Sequence, residues 1–528
     1  MKKMSLLRVM VIVSMSCLNI TMVQAKNLDK VTVEQGVLQG KTVNNLTVFK
    51  GIPFAKPPIG EGRWRAPEPA EKWQGIKSAL EFAPSPIQGG RQPSEISEDC
   101  LYLNIWSPAQ SADEKLPVLV WIYGGGFSFG SSSDPVTEGT NLANKGVILV
   151  TIAYRVGQLG FLAHPELSAE NPNKVSGNYG LLDQIAALKW VKNNITAFGG
   201  NPDNVTIFGE SAGAISVSML AASPLAKGLF HKAISQSGGS FGPTRSPNYP
   251  GENMNTLITA EAQGIDYVKQ FGASSIADLR KMNAQKFIPA GWSMAGGWPI
   301  VDGYVIPDDQ FTLYEQGQFN DTPILVGYNS DEGISFMWNT NKDQFMQDLN
   351  TRFGKFAPSL SNAYSVSNED ITRSARNLIR DAAFGWHSWS WARLQSKKGS
   401  SAAYLYFFDQ HPEYPKDSPK FGNGSPHGQD VAYVFEHLDM NNPDTTKTDI
   451  AISKAMATYW TNFAKNGDPN SKDVPTWPAF NSATKQVMHF QQQPKIGAVP
   501  DENGLEVLDQ YFEWRRTAEG KNWAAGNN

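Results

Sequence analysis

The sequence predicts an α/β protein with a large, mostly parallel central sheet and helices on both of its faces. Two apolar runs, 117–123 and 147–154, are each long enough for a buried strand. Shorter runs of strand composition alternate with segments of helical spacing further along the chain. The strand-like runs are 205–208, 233–237, 323–328, 402–408 and 487–490, and the helical segments include 181–195, expected to be amphipathic, and 452–464. Strands that alternate with helices are typical of parallel sheets covered on both faces.

The composition is that of a globular protein long enough to bury a large core. The chain has 528 residues, of which 41% are hydrophobic, and its mean hydropathy is −0.35. A net charge of −4 and a pI near 6.0 indicate no basic surface, so nucleic acid is not an expected partner. Loop-like stretches at 84–97, 240–252 and 412–427 do not resemble linkers between domains. We therefore expect residues 26–528 to form a single domain, whose oligomeric state the sequence does not indicate.

The first 25 residues have the pattern of a secretory signal peptide. Basic residues at positions 2, 3 and 8 precede an apolar stretch, 9–23, and small residues offer a cleavage site after Ala25. The stretch is too short and too polar to span a bilayer. These features predict a secreted or periplasmic protein with no stable membrane anchor. Cys17 would leave with this segment, and the apolar neighbours of Cys100 predict a buried thiol rather than a nucleophile.

The segment 204–213, Asn-Val-Thr-Ile-Phe-Gly-Glu-Ser-Ala-Gly, carries the clearest chemical signal in the chain. A strand-like run leads into the pattern G-x-S-x-G, and small residues compatible with a helix follow. Strand, sharp turn and helix are the context of a nucleophile elbow. Gly209 and Gly213 remove the Cβ atoms that would clash at the turn, so we predict Ser211 as a nucleophile with an exposed Oγ.

A glycine turn at 124–126 is the candidate oxyanion site. It ends the apolar strand that begins at residue 117, and glycine lets the backbone approach a substrate carbonyl closely. The N–H groups of Gly125, Gly126 and Ala212 would form a hole with three donors, each worth roughly 3 kcal/mol of transition-state stabilisation. The alternative is a plain glycine turn.

The chain has seven histidines, and their spacing alone selects none as a base. None has the spacing of a zinc site, and no phosphate-binding loop is present, so we expect no cofactor and no metal. Besides His427, they are His164, His231, His387, His411, His437 and His489.

The chain resembles the type-B carboxylesterases, the cholinesterase and para-nitrobenzyl esterase family, from about residue 30 to its end. The serine segment 198–213 and the segment 98–104, Glu-Asp-Cys-Leu-Tyr-Leu-Asn, are similar to the two diagnostic motifs of that family. Segments 154–157 and 178–184 agree as well, in the correct order. The resemblance implies the α/β-hydrolase fold with a small N-terminal antiparallel sheet, and hydrolysis of small-molecule carboxylic esters without a cofactor.

The resemblance also implies the remaining members of a catalytic triad. The acid is Glu332 in Asn-Ser-Asp-Glu-Gly, although Asp331 is its rival because such a turn could use either carboxylate. The base is His427 in His-Gly-Gln-Asp, and the order Ser, Glu, His is the one expected of the fold. As His427 loses its proton, activity is expected to rise near pH ~6–7.

Three neighbours of the triad have open roles. Glu210 could bias the local field or could be fixed by packing at the elbow. Ser237 resembles a serine that hydrogen-bonds near the triad in relatives, but a turn at a strand end explains it almost as well. Asp430 stands where the family usually has Glu.

Six aromatic side chains are candidates for the wall of a pocket that accepts a bulky or aromatic ester, although such residues are more often core. They are Phe127, Trp292, Trp298, Trp338, Trp386 and Trp389. The stretch 88–94 lacks the cysteine-closed loop and the tryptophan of cholinesterase-like relatives, which argues against a choline site.

The alternative function is a non-catalytic binding or adhesion protein on the same scaffold. Such proteins typically lose the nucleophile or the histidine, and this chain keeps both.

Overall fold

The structure is a computed structural model that describes residues 28–244, 254–289, 297–336, 341–366 and 371–526. The predicted signal peptide, residues 1–25, lies outside the described residues. Of the described helices, none has both the length and the apolar composition needed to cross a membrane.

The strands in these segments are, in chain order, β1 (Lys30–Val33), β2 (Gly36–Gln39), β3 (Lys41–Val43), β4 (Leu46–Pro53), β5 (Ile76–Ser78), β6 (Ser85–Pro86), β7 (Ile96–Ser97), β8 (Tyr102–Ser107), β9 (Leu116–Ile122), β10 (Ile148–Ile152), β11 (Gly200–Glu210), β12 (Lys232–Gln236), β13 (Asn255–Thr256), β14 (Ile300–Val301), β15 (Ile324–Asn329), β16 (Ala403–Phe408), β17 (Val487–Gln491) and β18 (Gln493–Gly497).

The helices are α1 (Thr140–Ala143), α2 (Gly157–Phe161), α3 (Pro165–Glu170), α4 (Tyr179–Asn194), α5 (Ala212–Ala222), α6 (Leu257–Gln270), α7 (Ile276–Arg280), α8 (Gln310–Glu315), α9 (Lys342–Phe353), α10 (Ala357–Ala363), α11 (Ile371–Arg380), α12 (Trp386–Lys398), α13 (Gln429–Val434), α14 (Lys447–Asn466), α15 (Glu502–Arg516) and α16 (Ala518–Ala524).

The main sheet has eleven strands in the order β18-β17-β16-β15-β12-β11-β9-β10-β8-β4-β3. From β17 to β10 every neighbouring pair is parallel. The pairs towards the two edges are antiparallel. The predicted large, mostly parallel sheet is therefore confirmed.

The two faces of this sheet bury different sets of side chains. Along β9, Val118, Val120 and Ile122 belong to one hydrophobic cluster, together with residues of α4 and α5. Leu119 and Trp121 belong to a second cluster, together with α14. Successive residues of a strand point to opposite faces, so a strand buried on both sides reads as a continuous apolar run. Each fully buried large side chain contributes about 1.5–3 kcal/mol to folding.

Two local predictions need correction. The small N-terminal sheet, β1-β2-β5, is mixed rather than antiparallel, because β2 pairs antiparallel with β1 but parallel with β5. The long connection between β2 and β5 permits that parallel pairing, which a tight hairpin would not. Helix α4 is not amphipathic but is buried over most of its length. The turn between β1 and β2 covers part of the helix, where Trp190 donates to Gln35 Oε1 over 3.1 Å.

Candidate active site

Ser211 lies at a sharp turn between β11 and α5. Its backbone has φ 54° and ψ −124°, a conformation that costs a non-glycine residue of order 1–3 kcal/mol. A Cβ on Gly213 would lie 2.0 Å from the carbonyl oxygen of Ile122, and one on Gly209 would lie 2.6 Å from that oxygen. Both positions therefore require glycine, as the elbow motif predicts. The Ser211 side chain is partly exposed at the end of the sheet.

Glu332 follows β15 at the start of a short 3-10 turn, and its carboxylate is fully buried. Its Oε2 lies 2.6 Å from Nδ1 of His427. Its Oε1 accepts hydrogen bonds from the backbone N–H of Asn329 over 2.7 Å and from Ser237 Oγ over 2.5 Å. Three contacts thus fix the orientation of one carboxylate against one imidazole.

Asp331, the rival acid, points away from the imidazole. Its Oδ1 accepts from Arg376 Nε over 2.7 Å, and its Oδ2 accepts from the backbone N–H of Gly424 over 2.9 Å. Of the two neighbouring carboxylates, the structure places Glu332 against His427.

The ring of His427 lies between two aromatic side chains. Phe384 stacks on it with ring centroids 4.6 Å apart, and Phe336 meets it edge-on at 5.1 Å. The Nε2 atom lies 3.2 Å from Glu210 Oε1, but the two groups are not aligned as a hydrogen bond. Within the described residues, no hydrogen bond joins Nε2 to Ser211 Oγ. Bonds of this kind are commonly long or misaligned in unliganded enzymes and tighten when substrate binds.

The glycine turn after β9 lies directly beside the elbow. A Cβ on Gly124 would come within 3.0 Å of Ser211 Cβ and within 2.8 Å of the Glu210 carbonyl oxygen. Gly125 and Gly126 have φ values of 94° and 57°, which glycine adopts readily. Ala212 is the first residue of α5, where backbone N–H groups have no partner within the helix. Gly124 and Ala212 are therefore immediate neighbours of Ser211, and Gly125 and Gly126 continue the turn from Gly124.

A cavity of about 940 Å³ opens next to this cluster of residues. Gly124, Gly125, Glu210 and Gly428 are among its lining residues, whereas Ser211 and His427 are not and adjoin it only through these neighbours. The rest of the lining combines apolar side chains with a smaller set of polar ones. The apolar set includes Ile87, Phe129, Leu159, Phe287 and Ile288, and the polar set includes Gln88, Arg91, Glu95 and Asp134.

Residues 27–508 match the model of the carboxylesterase family. This chain belongs to that family. The fumonisin B1 esterase of Sphingopyxis macrogoltabida is 36% identical to it over 486 residues, covering 88% of this chain and 86% of that protein. The para-nitrobenzyl esterase of Bacillus subtilis is 35% identical over 501 residues, covering 90% of this chain and 98% of that protein. A solved structure of a PNB esterase superposes with a TM-score of 0.78 at 33% identity, covering 91% of this chain and all of that one.

These relatives confirm the α/β-hydrolase fold and identify the carboxylesterase as a carboxylic-ester hydrolase. The alternative, a non-catalytic binding protein, is not supported by relatives that are named as esterases. In the part of the chain that the structure describes, no group of His, Cys, Asp and Glu side chains is arranged to hold a metal ion.

The charge on the imidazole of the carboxylesterase is controlled by the carboxylates around it. Burial lowers the pKa of His427, but the charges of Glu210 and Glu332 outweigh that effect and raise the pKa to about 9. Burial raises the pKa of Glu210 to about 7, against the opposing charge of His427. Two carboxylates contact the ring, and their charges shift the pKa of His427 above the ordinary value for histidine.

Asp430 and Ser237 both take part in the buried hydrogen-bond network. Asp430 Oδ2 accepts from Gln236 Nε2 and from the hydroxyl of Tyr406, each over 2.9 Å, and burial raises the pKa of this carboxyl. The shorter side chain at this family position thus still finds partners. Ser237, which donates to Glu332, has φ 54° at the end of β12 and is both a turn residue and a hydrogen-bond donor.

Most of the aromatic side chains predicted to form the pocket do not line the cavity of the carboxylesterase. Phe127 is fully buried against Trp298, which is partly exposed, with ring centroids 4.9 Å apart. Trp386 donates to Asp509 over 3.1 Å and is 1% exposed, and Trp389 is buried under Arg393. Three residues apart on α12, these two tryptophans share one face of the helix, and that face is buried in the core. Trp292 and Trp338 lie outside the described residues.

Sequence reasoning missed the two aromatic residues that pack against the imidazole and most of those that line the cavity. Phe336 lies four residues after Glu332, and this short separation from the predicted acid could have indicated that its side chain lies in the site. Phe384 lies in a π-helical turn, Asp381–Gly385, and turns of this kind often mark functional sites but have no sequence signature. Residues 87–91 belong to a stretch that the composition identifies only as a loop.

Proposed function

We propose that this carboxylesterase is an exported enzyme that cleaves esters through an acyl-enzyme formed on Ser211. Its triad would be Ser211, Glu332 and His427. The observation that carries the proposal is the 2.6 Å contact between Glu332 Oε2 and His427 Nδ1, beside an elbow that presents the serine. A serine hydroxyl is activated when a base and an acid that orients this base lie on neighbouring loops.

In the acylation step, His427 Nε2 removes the proton of Ser211 Oγ while Oγ attacks the ester carbonyl carbon. Glu332 keeps the imidazole oriented and stabilises the imidazolium that forms. The N–H groups of Gly125, Gly126 and Ala212 bind the oxyanion of the tetrahedral intermediate. When the intermediate collapses, the bond to the alcohol oxygen breaks, and the imidazolium returns its proton to the leaving alkoxide.

Deacylation repeats these steps with water. His427 takes a proton from the water molecule, and the hydroxide formed in the same step attacks the acyl carbon on Ser211. Collapse of the second intermediate releases the carboxylic acid and returns the proton to Ser211 Oγ. No net change occurs in the protein over the cycle.

The proposed substrates are esters with a bulky or aromatic group. A cavity of about 940 Å³ with mostly apolar walls supports this size class, since ligand pockets are typically ~300–1,000 Å³. One relative is named for para-nitrobenzyl esters and another for fumonisin B1. Benzyl-type esters are therefore the first class to test.

Export is proposed from the pattern of residues 1–25. Cleavage after Ala25 would leave residues 26–528 as the mature enzyme, a single catalytic domain in the periplasm or outside the cell. Mass spectrometry of the N-terminus, after expression of the full chain in a bacterium that exports it, should find Lys26 as the first residue. Retention of Met1 in cell-associated protein would refute this part of the proposal.

The nucleophile assignment is tested with a panel of p-nitrophenyl esters, from acetate to long-chain and aromatic acids, assayed with Ser211→Ala. We expect loss of at least ~1,000-fold in kcat on every ester. The matched control is Ser218→Ala, in the helix α5 that follows Ser211. This substitution removes a buried hydroxyl, which donates to Ile215 O over 2.7 Å. Hydrolysis retained by Ser211→Ala would refute the assignment.

A further inference from the structure

Asp331 is the carboxylate that the proposed triad leaves unused, and it is completely buried next to the triad acid. Two charged partners face it. Arg376 donates to both of its oxygens, through Nε over 2.7 Å and through Nη2 in a still closer contact. Arg373 lies 3.5 Å from the same carboxylate and is partly exposed.

Asp331 and Arg376 together connect three segments of the chain. Arg376 lies on α11, and its guanidinium also donates to Asn423 Oδ1 over 3.1 and 3.2 Å. Asp331 in turn accepts from the backbone of Gly424 over 2.9 Å. The helix approaches closely because Gly333 has no side chain, since a Cβ there would lie 2.4 Å from the carbonyl oxygen of Arg376.

Segment 423–426, which the ion pair contacts, leads directly to His427. The segment is joined to the loop of Glu332 by further hydrogen bonds. Asp331 N–H donates to Ser425 O over 2.9 Å, and Ser425 N–H donates to Ser330 Oγ over 2.9 Å. Asn329 Nδ2 donates to Pro426 O over 2.8 Å. The loop that carries the acid and the loop that carries the base therefore form one hydrogen-bonded unit.

We propose that Asp331 and Arg376 are positioning residues, which hold the loops of Glu332 and His427 in the relative position that proton transfer requires. Neither residue contacts the imidazole or the cavity beside Ser211. This inference rests on the proposed function, because it assigns a role only if Glu332 and His427 work as acid and base. A displacement of about 1 Å between reacting groups can lower a rate ~100-fold. An ion pair that fixes the two loops can therefore affect kcat without contacting the reacting atoms.

The test compares Asp331→Asn, Arg376→Gln and the double variant on a short and a bulky p-nitrophenyl ester. We expect kcat to fall ~10- to 100-fold in each single variant, with KM changed less than about 2-fold, because substrate contacts remain. The double variant should lose little more than either single variant, since the two residues act as one unit. Arg376→Lys, which keeps the charge, should recover part of the lost kcat.

The matched control is Arg280→Gln, which breaks the ion pair of another buried arginine, with the partly exposed Glu170 at 2.8 Å, away from the triad. It should lose stability but keep kcat. All assays are made well below the melting temperature of each variant. If Asp331→Asn does not fold, the two Arg376 variants decide the matter, because the Arg376 side chain is 12% exposed at the surface of α11.

A structural role alone would give folded variants of lower melting temperature with unchanged kcat, and that result would overturn the inference. A fall in kcat equal to that of Arg280→Gln at matched stability would overturn it as well. If Ser211→Ala retains activity, the proposed function fails first. If Ser211→Ala is inactive while Asp331→Asn and Arg376→Gln are fully active, only the positioning role fails.

Discussion

At the scale of single residues, the site is dominated by one imidazole among three buried carboxylates. Glu332 contacts Nδ1 of His427, Glu210 lies opposite Nε2, and Asp430 is held by Gln236 and Tyr406 close by. Negative charge around the ring favours its protonated form, while a general base must be neutral before it can act. In the proposed mechanism, the carboxylates that stabilise the imidazolium during catalysis would therefore also set the pH at which the enzyme becomes active.

The substitution Glu210→Gln should move the activity profile to lower pH. The negative charge of Glu210 raises the pKa of His427, so its removal lowers that pKa and leaves the neutral base available in more acidic solution. We expect the rising limb of kcat/KM to shift down by about one pH unit or more, since a nearby charge moves a pKa by roughly 1–3 units. The limb of the unmodified enzyme should lie above pH ~6.5, the ordinary value for histidine.

The measurement is kcat/KM between pH 5 and 10 for both proteins. Glu315→Gln, which alters a carboxylate paired with Lys397 and Lys398 away from the cavity, serves as the control and should leave the limb in place. An unshifted limb in Glu210→Gln would show that Glu210 does not act on the charge of the base.

At the scale of elements, the turn from β11 to α5 depends on how closely β9 approaches it. The carbonyl oxygen of Ile122 leaves no space for side chains at Gly209 or Gly213. Because this requirement is local, the elbow could be predicted from the sequence. The π-helical turn that brings Phe384 onto His427 could not be predicted, because it depends on how α11 and α12 pack against the sheet.

The substitution Gly213→Ala should destabilise the fold, because its Cβ would lie 2.0 Å from the Ile122 oxygen. Relief of that overlap requires backbone movement, which costs about 3 kcal/mol of unfolding free energy. Gly62→Ala is the matched control, since the nearest atom to its Cβ would be Pro57 O at 3.7 Å. Urea denaturation followed by circular dichroism compares the two variants. Equal unfolding free energies would contradict the geometry of the elbow.

Filling the cavity should change substrate selection rather than chemistry. Ile288 lines the cavity, and Ile288→Trp would take up space near its wall. We expect kcat/KM for benzyl-type esters to fall at least ~10-fold, about 1.4 kcal/mol, while p-nitrophenyl acetate is hydrolysed at nearly the original rate. Ile258→Trp, at a position that is 80% exposed, should change neither value. Equal losses on small and bulky esters would refute the assignment of this cavity to the bulky group.

At the scale of the whole molecule, the parallel strands bring distant parts of the sequence to one edge of the sheet. The glycine turn follows β9, Ser211 follows β11, and Glu332 follows β15. In open α/β sheets, sites form outside the carboxyl ends of the strands. The strand order β15-β12-β11-β9 therefore explains why residues more than 200 positions apart meet.

The parts of the site that were predictable from sequence are those with a local signature. Apolar runs predict buried strands such as β9 and β10, and the glycines around Ser211 predict the elbow. The choice of Glu332 over Asp331 came from resemblance, since both follow the same strand. The cavity wall was not predictable, because helical spacing cannot tell whether Trp386 and Trp389 face a cavity or the core. Both face the core.

The central claim is that Glu332 and His427 activate Ser211, and covalent labelling tests it most directly. We would treat the protein with a p-nitrophenyl alkylphosphonate and locate the label by peptide mass spectrometry. The account predicts one phosphonyl group per chain, on Ser211, and labelling that is at least ~100-fold slower in His427→Ala and in Glu332→Gln. A label on another residue, or equal labelling rates in the three proteins, would contradict it.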